Sequence, residues 1–186
     1  MERAHETMHG HGESHGDPWA RGVAVMVSIL AASLALAEIG GKSAQNAYLT
    51  HHIAVSDDWA FYQAKNGRAT IRLVEASMLE SLPNAADPAT QARIKDAKEY
   101  AARMRDDPKA GDGMKQISEK AKASEHARDE AFHQYHGYEL TVGGLEIGIV
   151  LASVSVVTAM RPLTIGAGLV GLAAALHGIA VWLHMI

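Results

Sequence analysis

A chain of 186 residues is sized for one unit rather than several domains; its 48% hydrophobic content with only 5% aromatics places the apolar character in Ala, Val, Leu, Ile and Gly. Those residue types suit helix packing in lipid better than a large water-excluding core. The lack of cysteine excludes disulfides, zinc–thiolate sites and cysteine nucleophiles, and a net charge of −4, with 13 basic against 14 acidic residues between Ser43 and Gly137, leaves no basic patch for nucleic acid.

Residues 1–21 are polar and rich in His and Gly and offer no apolar face, which reads as a mobile tail. Residues 22–41 form the first apolar run, uncharged up to Ala37 and reaching Gly41 if Glu38 is tolerated. At about 1.5 Å per residue that is roughly 30 Å, enough to span a bilayer. Ala35-Leu36-Ala37 also resembles the cleavage site of a signal peptide, but the long tail ahead of it favours a retained span.

Residues 42–138 keep a helical pattern. Ile53, Ala60, Ala64, Gly67, Ile71, Val74, Met78 and Leu82 recur at 3–4 spacing and predict the packed stripe of a first helix. On that reading an aspartate at position 71 should disrupt the packing and one at position 65 should not. A turn is expected at residues 83–88, with Pro83 and Pro88. A second helix follows, with Ile94, Ala97, Ala101 and Met104 on one face. Residues 106–113 break it, and a third stripe runs through Met114, Ile117, Ala121, Ala131 and Tyr135.

Residues 139–160 are the second apolar run and residues 163–186 the third. Arg161-Pro162 between them is the expected site of a tight hairpin, because proline cannot continue the hydrogen-bond ladder. The fold class that follows is all-α: an integral membrane protein with three transmembrane helices and a long antiparallel helical-hairpin stalk between the first and second.

Two blocks carry a resemblance. Lys42-Ser43-Ala44-Gln45 followed by residues 54–65 (AVSDDWAFYQAK) and Arg68 is one; Tyr135-His136-Gly137-Tyr138-Glu139-Leu140 followed by residues 147–153 (IGIVLAS) is the other. Together they resemble a bacterial family known only as domain of unknown function 4337. The resemblance implies a protein of the bacterial inner membrane and supplies no activity.

Three groups of residues could carry chemistry. A hairpin folded about Arg161-Pro162 sets Glu146 opposite His177, and the fold between the first two spans brings Glu38 to a similar depth. Ionisable residues at such depth suggest a proton or ion pathway, and a carboxylate beside an imidazole exchanges protons near neutral pH. The alternative is structural: Glu38 neutralised by Lys42 one turn on, and Glu146 with His177 fixing the register of the hairpin.

The second group, His5, His9, His11 and His15, can bind divalent metal weakly, as short His-rich tracts do. His5-Glu6-Thr7-Met8-His9 matches the zinc-protease pattern, but Gly10, Gly12 and Gly16 argue against the rigid helix that chemistry needs. The third comprises His51, His52, His126, Asp129, Glu130, His133 and His136. Its Glu130-x-x-His133 is half of a di-iron motif without a second copy outside the tail. Trp59, Phe61 and Tyr62 read as a core or subunit contact, with ligand stacking as the alternative.

No nucleotide-binding loop or Ser/His/Asp arrangement is present, so the expectation is a non-enzymatic, cofactor-free scaffold that lies in a lipid bilayer and forms homo-oligomers. The competing expectations are an oligomeric channel or proton conduit using Glu38, Glu146 and His177, and a metal-responsive sensor using the tail. Arg3, Arg21 and Arg161 fall on one side of a three-span topology, which predicts a cytoplasmic N-terminus and a periplasmic stalk.

Overall fold

The computed structural model describes residues 17–184. These contain four α-helices and no strand: α1 Pro18–Glu80, α2 Pro88–Arg105, α3 Met114–Thr158 and α4 Arg161–Trp182. Of these, α1, α3 and α4 are long and apolar enough to cross a membrane.

The helix ends follow from local chemistry. The Asp87 carboxylate accepts from the backbone N–H groups of Ala89 and Thr90 at 3.1 and 3.4 Å, and Pro88 occupies the first turn of α2, where its missing N–H leaves no bond unmade. Arg103 and Arg105 sit in the last turn of α2, at the negative end of the helix dipole. Gly111 then takes a φ of 72°, a conformation that favours glycine, and α3 begins at Met114.

The described residues divide into two compact units: residues 17–39 together with 137–184, and Gly40–His136. In the first unit, Val23, Ala152 and Ala167 form one apolar cluster, and Leu30, Ala37, Leu145 and Ala174 form another. Small residues allow the close approach. A Cβ on Gly148 would lie 3.3 Å from both the Gly171 Cα and the Ala167 carbonyl oxygen, and one on Gly144 would lie 2.7 Å from the Ala174 Cβ. Gly143 and Gly166 face open space.

The α3–α4 turn does not fall at Arg161-Pro162. α3 ends at Thr158, Ala159 takes a φ of 55°, and α4 begins at Arg161. Pro162 lies in the first turn of α4, where a helix tolerates proline and its fixed φ favours helix initiation. The hairpin therefore closes about residues 159–160: Ser155 meets Thr164, Gly144 meets Ala174, and Gly137 meets Val181.

In the second unit the buried seam of α1 differs from the expected stripe. Val55, Asp58, Lys65, Ala69 and Ala76 are buried and Tyr62, Arg72 and Leu79 half-buried, a run at unbroken 3–4 spacing. Ile53, Ala60, Ala64, Gly67, Ile71, Val74, Met78 and Leu82 are all exposed. Lys65 is 3% exposed and Ile71 68%. The sequence reading took the more hydrophobic of two helical stripes; the buried seam is the one whose polar side chains find partners on α2, α3 and the segment between them. Ile94, Ala97 and Ala101 of α2, and Ile117, Ala121 and Ala131 of α3, are buried.

Candidate functional site

Polar groups within the apolar helices of the first unit are the starting point, because hydrocarbon offers them no hydrogen bonds. Thr141 on α3 is 2% exposed. Its hydroxyl donates to the Gly137 carbonyl at 3.0 Å, and its oxygen lies 3.0 Å from the His177 Nδ1 on α4. A hydroxyl has one proton, so with that proton on Gly137 the remaining contact requires His177 to donate from Nδ1. A neutral imidazole in that contact is the Nδ1–H tautomer. A turn from the end of α3, Thr164 donates to Ser155 at 3.0 Å and Ser155 to the Ala152 carbonyl at 2.7 Å. Each hydroxyl in that chain has a partner.

The expected pairing of Glu146 with His177 is not formed. Closing the hairpin at residues 159–160 instead of 161–162 shifts α4 along α3 by about one turn, which gives His177 to Thr141. Glu146 follows Leu145, which is fully buried, and the next position on a helix is turned by about 100°. It is therefore exposed. Glu38 stands in the same relation to the buried Ala37 and is exposed as well. Among the described residues neither carboxylate has a hydrogen bond or ion pair. Glu38, Glu146 and His177 thus do not converge: one is held inside the helix packing, and two face outward from it.

The second unit holds polar contacts that sequence reasoning missed. Asp58, 8% exposed, binds Lys120 at 2.9 Å through Oδ1, while its buried Oδ2 has no partner among the described residues. The Lys65 ammonium reaches Asp112 at 2.9 Å and lies 5.3 Å from the centre of the Phe61 ring. Trp59 donates from Nε1 to Glu125 at 2.9 Å and meets Tyr62 edge-on. Further along α1, Glu75 accepts from Arg72 at 2.8 Å and from Arg93 of α2 at 3.2 Å. Those two hydrogen bonds, Arg72 first, hold the Glu75 carboxyl below its ordinary value. The available signal was the 3–4 spacing of Val55, Asp58, Tyr62 and Lys65, which the apolar stripe two residues away outweighed.

His52, His126, His133 and His136 are exposed, as are Asp129 and Glu130. His126 approaches Glu130 one turn on at 3.5 Å, Arg128 binds Asp129, and His136 stacks on Phe132. Among the described residues no three His, Asp or Glu side chains gather as a metal site. His5, His9, His11 and His15 lie outside the described residues.

A family model described as Domain of unknown function (DUF4337) matches residues 19–184. No curated protein and no solved structure matches the chain.

Proposed function

Starting from a chain that belongs to the DUF4337 family, whose description names no activity, we propose a non-enzymatic, self-associating scaffold of the bacterial inner membrane. It crosses the bilayer on α1, α3 and α4 and carries residues 42–138 as an antiparallel helical-hairpin stalk. Contacts within the second unit support the stalk, since rising numbers on α1 meet falling numbers on α3: Tyr48 with Phe132 and Asp58 with Lys120.

The observation that supports self-association most is the outward direction of Glu38 and Glu146. A charged side chain at the centre of a membrane helix costs about 2.5–3.5 kcal/mol on insertion scales, and the cost falls toward the interface, nearer which Glu38 and Glu146 lie. A neighbouring copy packed over these positions removes the carboxylates from lipid and supplies hydrogen-bond donors. The test is the mass of the full chain in detergent and in lipid nanodiscs, measured by light scattering and native mass spectrometry. An oligomer that survives Glu146→Gln and shifts toward monomer in Glu146→Leu is the expected result. A parent protein that is monomeric in both media rules the scaffold out.

The same exposure supports one competing reading, a conduit in which copies set Glu38 and Glu146 around a shared axis. Here the carboxylate itself is required, so Glu146→Gln would abolish ion or proton flux in proteoliposomes with oligomer mass unchanged. Absence of flux in the parent removes this reading. Orientation is tested on the cysteine-free chain by thiol labelling of Asp87→Cys and Ser14→Cys in intact cells. A periplasmic stalk requires reaction at position 87 and none at 14.

A further inference from the structure

The second unit turns an apolar face outward on one helix. Two residues beyond successive positions of the buried α1 seam lie Ala60, Ala64, Gly67, Ile71, Val74 and Met78, all exposed. A step of two is about 200° on a helix, so this stripe occupies the side opposite the seam. Ile71, Val74 and Met78 are 68%, 52% and 65% exposed, and the stripe carries no charge. By contrast α2 contributes none of the exposed large hydrophobics, and the Gly40–His136 part of α3 contributes Phe132.

We infer that this outer stripe is a parallel coiled-coil contact with a second copy of the same chain. The inference rests on the self-association proposed above and says which surface performs it. Three observations point to a second copy. The stripe keeps 3–4 spacing through six positions, the period that lets one helix pack along another. Copies inserted in one bilayer with one topology run parallel, so like residues meet, layer on layer. The flanking positions then oppose no like charges: Gln63 faces Arg68 of the second copy and Thr70 faces Glu75. Residues 1–16 suit the cover poorly, because Met1, Ala4 and Met8 are their three apolar side chains against six positions in the stripe.

Size determines how the contact works. Residues 60–78 cover about 27 Å of helix, and a strip about 10 Å wide gives roughly 270 Å² per copy. A free-standing dimer buries about 800 Å² per partner. The stripe therefore does not assemble two chains from dilute solution; it acts between copies already concentrated by a shared membrane, where the second contact is effectively intramolecular.

The experiment is a single-cysteine scan of residues 63–79 in the full chain, reconstituted in phosphatidylethanolamine–phosphatidylglycerol vesicles and oxidised with copper phenanthroline. Position 67 accepts a side chain, since nothing lies within 4 Å of a Cβ there. Homodimer yield should peak at 64, 67, 71, 74 and 78 and fall at 65, 69, 72 and 76. Val74→Asp in the Gly67→Cys background should lower that yield at least tenfold with helicity unchanged. A flat profile, a peak in another phase, or cross-links formed only to lipid-associated or foreign protein overturns the inference. When the parent is still oligomeric by mass, such a result removes this face and leaves the scaffold standing. A parent monomeric in the same vesicles removes both.

Discussion

Lys65→Asp and Ile71→Asp, compared in the same full-length background, test which side of α1 is packed. Lys65 is 3% exposed, its ammonium 2.9 Å from Asp112 and its stem against Phe61. An aspartate there loses the cation, leaves a cavity where the stem lay, and sets a second carboxylate beside Asp112. Breaking a buried ion pair by removing one partner costs about 3–5 kcal/mol. Asp112 is half exposed and can turn to water, which places the expected loss near 3 kcal/mol, or about 6–12 °C in midpoint for a chain of this length. Ile71 is 68% exposed, so its aspartate should change the stability of a single copy by no more than about 0.5 kcal/mol. The assay is thermal and urea unfolding followed by far-UV circular dichroism, in detergent at a dilution where light scattering reports monomer. Equal losses, or a larger one at position 71, would refute the packing described for α1.

The register of the first unit can be measured by a double-mutant cycle: Thr141→Val with His177→Leu should show a coupling of about 0.6 kcal/mol, within the range found for hydrogen bonds between membrane helices. Glu146→Leu with His177→Leu should show none, and the reverse result would restore the hairpin folded about Arg161-Pro162. Gly148→Val should destabilise the spans by about 1–3 kcal/mol through overpacking against α4, while Gly143→Val, which meets nothing within 4 Å, should be tolerated; denaturation in mixed micelles reads both. Glu75, its folded pKa held below the ordinary carboxylate value by Arg72 and Arg93, contributes stability that is complete above that ordinary value and lost as pH falls through the lowered one. An acid titration of helicity should show that loss, and Glu75→Gln should flatten it.

Three helices of membrane-spanning character were legible because a long uncharged apolar run has few other uses. Two things were not. The face of α1 was misread because hydrophobicity was used to choose between two stripes of equal period. Asp58, Lys65 and Arg72 looked like solvent residues, and they are buried or half-buried because partners far along the chain meet them: Lys120, Asp112 and the Tyr100 ring. Long-range pairing of this kind leaves no mark on local spacing. The α3–α4 register was misread by taking proline as the point of the turn. Proline disfavours the interior of a helix and suits its first turn, so Arg161-Pro162 marks the start of α4 rather than the break itself. That small displacement moved His177 from Glu146 to Thr141, and with it the candidate site.

The two units invert each other in what counts as out of place. Around α1, α3 and α4 of the first unit, exposed Val25, Ile29 and Leu36 are at home if the surroundings are hydrocarbon, while exposed Glu38 and Glu146 are not. In Gly40–His136, taken as a stalk in water, the charges are the ordinary surface, and exposed Ile71, Val74 and Met78 stand out. The buried ions of the second unit are tolerable because their counter-charges reach water: Asp58 meets a largely exposed Lys120. Lys65 is 3% exposed but reaches an Asp112 that is half exposed. No comparable escape is open to Glu146, whose short side chain lies within an apolar helix, or to Ile71, which has no head to turn to water. A partner chosen for either unit alone would leave the other anomaly untouched. The proposed self-association answers each anomaly in its own unit, lipid contact at Glu38 and Glu146 in the first and water contact at Ile71 in the second, whereas a conduit built from Glu38 and Glu146 alone addresses the first only.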